Sequence, residues 1–229
     1  MREIVMDTET TGLDPLEGHR IVEIGCVELK GHVPTGATYH QYVNPERSMP
    51  TEAFEVHGLG DDFLSKQPAF REIADSFLKF VGDAKLVIHN ASFDMKFLNA
   101  ELGWLKKQPL PTDQAIDTLA LARKQFPGAP ASLDALCRRF GVDNSAREKH
   151  GALLDSEILA EVYLELIGGR QPGFGLTDNL VSTSDSTGTD KASVARPAPL
   201  PPRITEDERT AHAAFVAELG EAALWRKFD

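Results

Sequence analysis

A mixed β-sheet with helices packed against it, an α/β domain, is the fold class this sequence predicts, and three observations predict it. Three strand patterns follow one another from Glu3 to Val43, helices and a strand then alternate, and Gly or Pro punctuates the joints. The apolar run Ile4-Val5-Met6 places the first strand at Glu3–Met6, and Asp14-Pro15 and Gly18 turn the chain. Ile21–Lys30 forms the second strand. Gly31 and Pro34-Thr35-Gly36 mark the next turn, before a third strand over Ala37–Val43. A loop containing His57-Gly58 leads to Pro68 and then to a helix in which Phe70, Ile73, Phe77 and Val81 follow the helical period. Leu86-Val87-Ile88 is a short apolar strand. Three further helices are predicted over Ser92–Leu102, Ala115–Gln125 and Ser132–Phe140, the last capped by Ser132 and stopped by Gly141. A final helix runs from Gly151 to Ile167 and ends at Gly168-Gly169.

Beyond Gly169 the character of the chain changes. Thr177–Arg203 has no aromatic residue, is rich in Ser and Thr, and closes on Pro197-Ala-Pro199-Leu-Pro201-Pro202. Such a linker has a root-mean-square reach of roughly 30 Å as a random coil. After it, Thr205-Glu206-Asp207-Glu208 is a capping-box start with acids in the first turn, followed by Phe215, Leu219 and Ala222 at helical spacing. This element is too short to bury its own apolar face. It docks either on the domain or on another protein, and the length of the linker favours the second.

Composition bounds the function classes. The chain has 229 residues, 41% of them hydrophobic, enough for one sizeable core and an appendage. No apolar stretch approaches a membrane span, and no basic-then-apolar leader opens the sequence, so a soluble cytoplasmic protein with no membrane partner is expected. Cys26 and Cys137 lie in apolar periodic segments without a Cys-x-x-Cys partner and read as buried reduced thiols. The net charge of −11 excludes a nucleic-acid coat, whose affinity rests on Lys and Arg, but not an enzyme that a partner holds on nucleic acid.

The chemistry-bearing residues are few. Asp7-x-Glu9 ends the first strand, and side chains two apart in a strand share a face, so both carboxylates can reach one site. Buried carboxylates are costly unless paired or bound to metal. The plain alternative is a strand-end pair facing solvent, and a second Asp-x-Glu at Asp155 and Glu157 shows how little the spacing alone means. His89-Asn90-Ala91-Ser92-Phe93-Asp94 follows a strand and sets Asp94 in the first turn of the next helix, where α/β sheets present their sites. His150-Gly151-Ala152-Leu153-Leu154-Asp155 sets a loop histidine five residues before a carboxylate near a helix start. Acids there also serve the helix dipole, worth only about 0.3–1 kcal/mol.

Asp7-x-Glu9, Asp94 and His150-x4-Asp155, in this order, resemble the DEDDh exonucleases. The flanking text, Asp7-Thr-Glu-Thr-Thr-Gly-Leu13, Arg20-Ile-Val-Glu-Ile-Gly25, Val56-His-Gly-Leu59 and Ser132-Leu-Asp-Ala-Leu-Cys137, is similar to that of the proofreading branch serving bacterial DNA polymerase III. The resemblance spans residues 2–169. It implies a ribonuclease H-like fold with a mixed five-stranded sheet, and a 3′-5′ exodeoxyribonuclease that uses two divalent cations, Mg²⁺ or Mn²⁺. It assigns Asp7 as the bridging ligand, Glu9 and Asp155 to one ion and Asp94 to the other. His150 becomes the general base, a role that histidine fills at neutral pH. The resemblance also gives the grip on a DNA 3′ end to Thr10, Thr11 and Gly12, with Leu13 as a wedge and His57, Asn90 and Phe93 lining the pocket.

The tail fits the same reading. Gln171, Phe174 and Leu176 resemble a sliding-clamp-binding motif with its two apolar anchors exchanged, the alternative being an ordinary linker start. Phe215, Leu219 and Trp225 are the expected contacts to the polymerase III alpha subunit. The organisation expected is therefore an exonuclease domain over 1–169, a clamp motif over 170–176, a linker over 177–203 and a polymerase-binding segment over 204–229. Two rivals remain at this point: a ribonuclease of the ribonuclease T or oligoribonuclease type, and a non-catalytic adaptor between clamp and polymerase.

Overall fold

The computed structural model describes residues 1–145, 147, 149–169 and 204–219. Five strands form one mixed sheet: β1 (Arg2–Thr10), β2 (Ile21–Lys30), β3 (Val33–Tyr42), β4 (Lys85–Ile88) and β5 (Ala115–Asp117), in the spatial order β3-β2-β1-β4-β5. The three N-terminal strands pair antiparallel, whereas β4 and β5 run parallel to β1. The helices are α1 (Thr51–His57), α2 (Asp61–Leu64), α3 (Phe70–Val81), α4 (Ala91–Trp104), α5 (Thr118–Gln125), α6 (Leu133–Phe140) and α7 (Ala152–Leu166).

The alternation of β1 divides the core. Ile4 and Met6 point into a cluster with Phe70, Phe77, Phe97 and Leu98 from α3 and α4. Val5 points the other way, to Leu159 and Tyr163 of α7, and Ala122, Leu136 and Val162 join α5 and α6 to the same layer. Helices therefore cover both faces of the sheet, as expected where its central strands carry continuous apolar runs, Ile4–Met6 in β1 and Leu86–Ile88 in β4. Cys26 and Cys137 are both buried free thiols, as their settings in the sequence required.

Pairing in the centre of the sheet opens the site. β4 pairs with β1 only from Glu3 to Val5, then leaves the sheet through His89 and Asn90 into α4. The last residues of β1, Asp7 to Thr10, overhang the end of β4. This is the position at the C-terminal ends of parallel strands where α/β sheets leave a crevice.

Four expectations need correction. β1 continues to Thr10, so the acid pair lies inside the strand and not after it; pairing with β2 through Glu9 and Glu23 carries the strand past its apolar run. The second turn is Gly31-His32 alone, and Pro34 to Gly36 belong to β3, an edge strand where the missing N–H of proline costs little. Residues 115–125 divide into β5 and α5, with Asp117 capping the helix through the N–H groups of Leu119 and Ala120. The loop around His57 contains α1 and α2, which lack side-chain caps and are too short to display a period.

In the separate C-terminal part, helix α8 (Glu206–Glu218) starts on the expected capping box, in which Thr205 and Glu208 satisfy each other's backbone N–H groups. Phe215 on it and Leu219 at its C-cap are exposed. Gln171, Phe174, Leu176, the linker over 177–203 and Trp225 lie outside the described residues. No helix among the described residues is long and apolar enough to cross a membrane.

Candidate active site

A cleft of about 540 Å³ opens where β1 overhangs β4, and Asp7, Glu9, Asp94, His150 and Asp155 all line it. Each arrives by a separate local cause. Asp7 and Glu9 share the face of β1 that looks toward α7. Asp94 sits in the first turn of α4, where its Oδ1 accepts from the backbone N–H of Thr8 at 3.1 Å and from the Thr8 hydroxyl at 2.7 Å. Asp155 sits in the first turn of α7, and α7 comes this close because β2 offers a glycine beneath it. A Cβ on Gly25 would lie 2.2 Å from the backbone of Ala152 and Leu153. The Ser156 hydroxyl, 2.9 Å from the Gly25 carbonyl, fixes the same contact. His150 precedes α7, half exposed, with its backbone N–H donating to Val56 of α1 at 3.3 Å.

The electrostatics are those of a site made for cations. Burial, then repulsion from Asp94, Glu9 and Asp155, holds the Asp7 carboxyl well above the usual carboxylate range. Burial raises Glu9 to about 8, with repulsion from Asp155 and Glu23 adding to it. Burial also raises Asp94 to about 7, against the opposing hydrogen bonds from Thr8. The buried Oε1 of Glu9 has no hydrogen-bond partner among the described residues. Ligand atoms of Glu9, His150 and Asp155 lie within 4.8 Å of one another. One guanidinium already stands among these groups: Arg147 donates from Nε to Asp155 Oδ1 at 2.5 Å and from Nη2 to Asp155 Oδ2 at 2.8 Å. A cluster that is over-provided with carboxylates, keeps one oxygen unpaired and accepts a planar cation fits hard divalent ions.

The residues expected to hold a substrate end divide into two groups. Asn90 and Phe93 line the cleft, Asn90 with a left-handed backbone (φ 66°) at the start of α4 and Phe93 against Phe97. Thr10, Thr11, Gly12, Leu13 and His57 are not among its walls. They build the turn that follows β1. The Thr10 hydroxyl donates to the Gly12 carbonyl at 2.6 Å, Thr11 exchanges hydrogen bonds with Arg20, and Gly12 leaves room for the His19 ring. Leu13 stands 82% exposed at the tip. His57, in the last turn of α1, is buried; desolvation lowers its pKa, and Nδ1 accepts from the Leu59 N–H at 3.1 Å.

Sequence reasoning missed Arg147, Asp134, His89 and Arg123, which also line the cleft. Arg147 lies in a stretch without period between α6 and α7, so its only signal is a basic residue three positions before His150. Asp134 reads as an ordinary first-turn acid of α6, and in the structure its Oδ1 accepts from Arg147 at 2.9 Å.

Comparison with known proteins identifies the family. The family described as Exonuclease matches residues 4–163. The DNA polymerase III subunit epsilon of Rickettsia felis is 49% identical over 226 residues, covering 97% of this chain and 99% of that protein. Its counterpart in Escherichia coli K12 is 43% identical, with 98% and 97% covered. Among solved structures, Exonuclease X in complex with 5′ overhanging duplex DNA superposes with a TM-score of 0.56 at 24% identity, covering 72% of this chain and 90% of that one. The nuclease domain of 3′hExo, a DEDDh family member bound to rAMP, gives 0.63 at 21% identity, with 72% and 91% covered. These likenesses show a shared fold, and the epsilon subunits match along nearly the whole length. With its four carboxylates and histidine gathered at one strand end, the chain belongs to the DEDDh exonucleases, in the branch of the bacterial DNA polymerase III epsilon subunits.

Proposed function

We propose that this protein is the proofreading 3′-5′ exonuclease of a replicative polymerase, removing mispaired nucleotides one at a time from DNA 3′ ends. The observation that carries the proposal is the convergence of Asp7, Glu9, Asp94, Asp155 and His150 on one cleft. Magnesium or manganese ions held by the four carboxylates would neutralise charge on the transferring phosphate and make water acidic enough to attack at neutral pH.

The chain's own residues supply the rest. Thr8 orients Asp94 through two hydrogen bonds, and Gly25 with Ser156 seats Asp155 opposite it. His150, half exposed at the mouth of the cleft, takes the proton of the attacking water. Phe93 offers a ring for the terminal base, and stacking is indifferent to base identity, as an enzyme that removes any nucleotide requires. Leu13 is the wedge that parts the terminal pair in this reading, which its exposure supports. Mispaired ends enter most easily because unpairing costs them least.

An acidic protein gains its DNA substrate by tethering. The epsilon-subunit relatives support a polymerase partner. The reading adds a cytoplasmic setting, Phe215 of α8, Leu219 at its end and Trp225 as contacts to the polymerase III alpha subunit, and, on sequence resemblance, Gln171, Phe174 and Leu176 as a sliding-clamp motif. Tethering raises the local concentration of the nuclease at a primer end without demanding affinity for DNA from the domain itself.

The test compares purified full-length protein with Mg²⁺ on a 3′-mispaired primer, its paired counterpart and an RNA strand of the same sequence. The proposal expects nucleoside 5′-monophosphates, released fastest from the mispaired DNA. Equal or faster loss from RNA would instead make it a ribonuclease of the same family.

A further inference from the structure

Arg147 makes contacts that the reaction described above does not use. Its guanidinium takes both oxygens of Asp155, at 2.5 and 2.8 Å, and a third nitrogen reaches Asp134 at 2.9 Å. Nη2 also lies 2.9 Å from Nδ1 of His150. A guanidinium can only donate, so Nδ1 accepts, and in neutral His150 the proton must then sit on Nε2. The same side chain therefore engages a carboxylate expected to hold an ion and the one lone pair with which His150 could take a proton.

Fork-shaped pairing of this kind is strong and directional, and here it is buried, with the Arg147 side chain only 10% exposed. Its positive charge also offsets part of the repulsion that burdens Asp7 and Glu9. Removing such a cation without a replacement would leave the buried Asp155 carboxylate without its counter-charge, which is costly. A divalent ion is the natural replacement. An ion that takes Asp155 competes with the guanidinium for its oxygens. Once the fork is broken, the contact with Asp134 is the one remaining carboxylate anchor of Arg147 among the described residues, too few to hold Nη2 against Nδ1 of His150.

We propose that Arg147 is a displaceable internal counter-ion: it fills the cation site of the ion-free enzyme, and an arriving divalent ion must evict it, freeing Asp155 as a ligand and His150 as a base in one step. This rests on the reading of the carboxylate cluster as an ion site and adds a competitor built into the chain. Ligand and base are then released together, so the enzyme is not left with a working base and no ions.

The competition has a direct signature in ion affinity. The full-length protein is titrated with Mn²⁺ by calorimetry beside Arg147→Met, Arg147→Lys and Asp134→Asn. With the competitor gone, Arg147→Met is expected to bind Mn²⁺ about tenfold more tightly, a difference of about 1.4 kcal/mol. Asp134→Asn, which leaves the guanidinium in place but weakens one of its anchors by removing the charge, should fall between that variant and the wild type. Arg147→Lys, which keeps a charge but loses the fork, should also be intermediate. A residue that merely braced Asp155 would give the opposite sign, since its loss would weaken binding.

Two further readings keep the test decisive. Mg²⁺ should raise the melting temperature of Arg147→Met more than that of the wild type, which registers even if the ion-free variant is largely unfolded. In the wild type the Arg147 Nε–H resonance, shifted by its carboxylate partner, should move to the position of a solvent-exposed arginine as Mg²⁺ is added. Equal or weaker Mn²⁺ binding by Arg147→Met, or an unmoved Arg147 resonance at saturating Mg²⁺, overturns the proposal. If the wild type itself binds no Mn²⁺, the ion-site reading fails first and is recognised as the separate failure.

Discussion

Glu9 and Asp94 hold protons that carboxyls in water would have lost, Glu9 up to about 8 and Asp94 up to about 7, chiefly because both are buried. A carboxyl whose folded pKa lies above its unfolded one binds its proton more tightly when folded, so its contribution is complete below the unfolded value and is lost as pH rises through the folded one. In a chelator the protein should therefore melt at a lower temperature at about pH 9 than at about pH 5, and excess Mg²⁺ should recover most of the difference at the higher pH. A melting temperature that climbs with pH in the chelator contradicts this. Thr8 is open to a second test: Thr8→Val removes the 2.7 Å hydroxyl bond to Asp94 and should slow cleavage about tenfold, whereas Thr8→Ser should not. At this scale the acids and His150 were legible because their residue types and order are distinctive. Arg147 was not, because an arginine in an aperiodic loop carries no mark of the carboxylate it will meet.

The seating of α7 on β2 shows how elements place the site. The helix N-terminus can approach only because Gly25 has no Cβ, so Gly25→Ala should cost about 1–3 kcal/mol in chemical denaturation and reduce nuclease activity by displacing Asp155. Gly103→Ala is the control: it lies inside α4, its Cβ would meet nothing within 4 Å, and it should leave stability unchanged or raise it by up to about 1 kcal/mol. Equal losses in the two variants would show that the close approach at Gly25 does not matter. The helices that were legible, α3 and α6 above all, have an apolar period and a stop at Gly82 or Gly141. β5 has three residues, and α1 and α2 have seven and four, too few for periodicity to distinguish strand, helix and loop. The overhang of β1 past β4 was equally hidden, since the parallel pairing joins Glu3–Val5 to Lys85–Val87, far along the chain, with no tight turn to set its register.

Across the whole molecule, the proposed division of work gives cutting to the exonuclease domain and attachment to the C-terminal segment. Deleting residues 204–229 should leave cleavage of single-stranded DNA intact while abolishing co-purification with the polymerase; retained co-purification contradicts the assignment of α8. The central claim, that the four carboxylates and His150 form one ion-dependent hydrolytic site, is tested most directly by nucleotide release from a 3′-mispaired primer in Mg²⁺. Wild-type protein should shorten the primer one nucleotide at a time, and the Asp7→Ala, Glu9→Ala double variant should be slower by about 100- to 1000-fold or more. Equal degradation by the two proteins would contradict it.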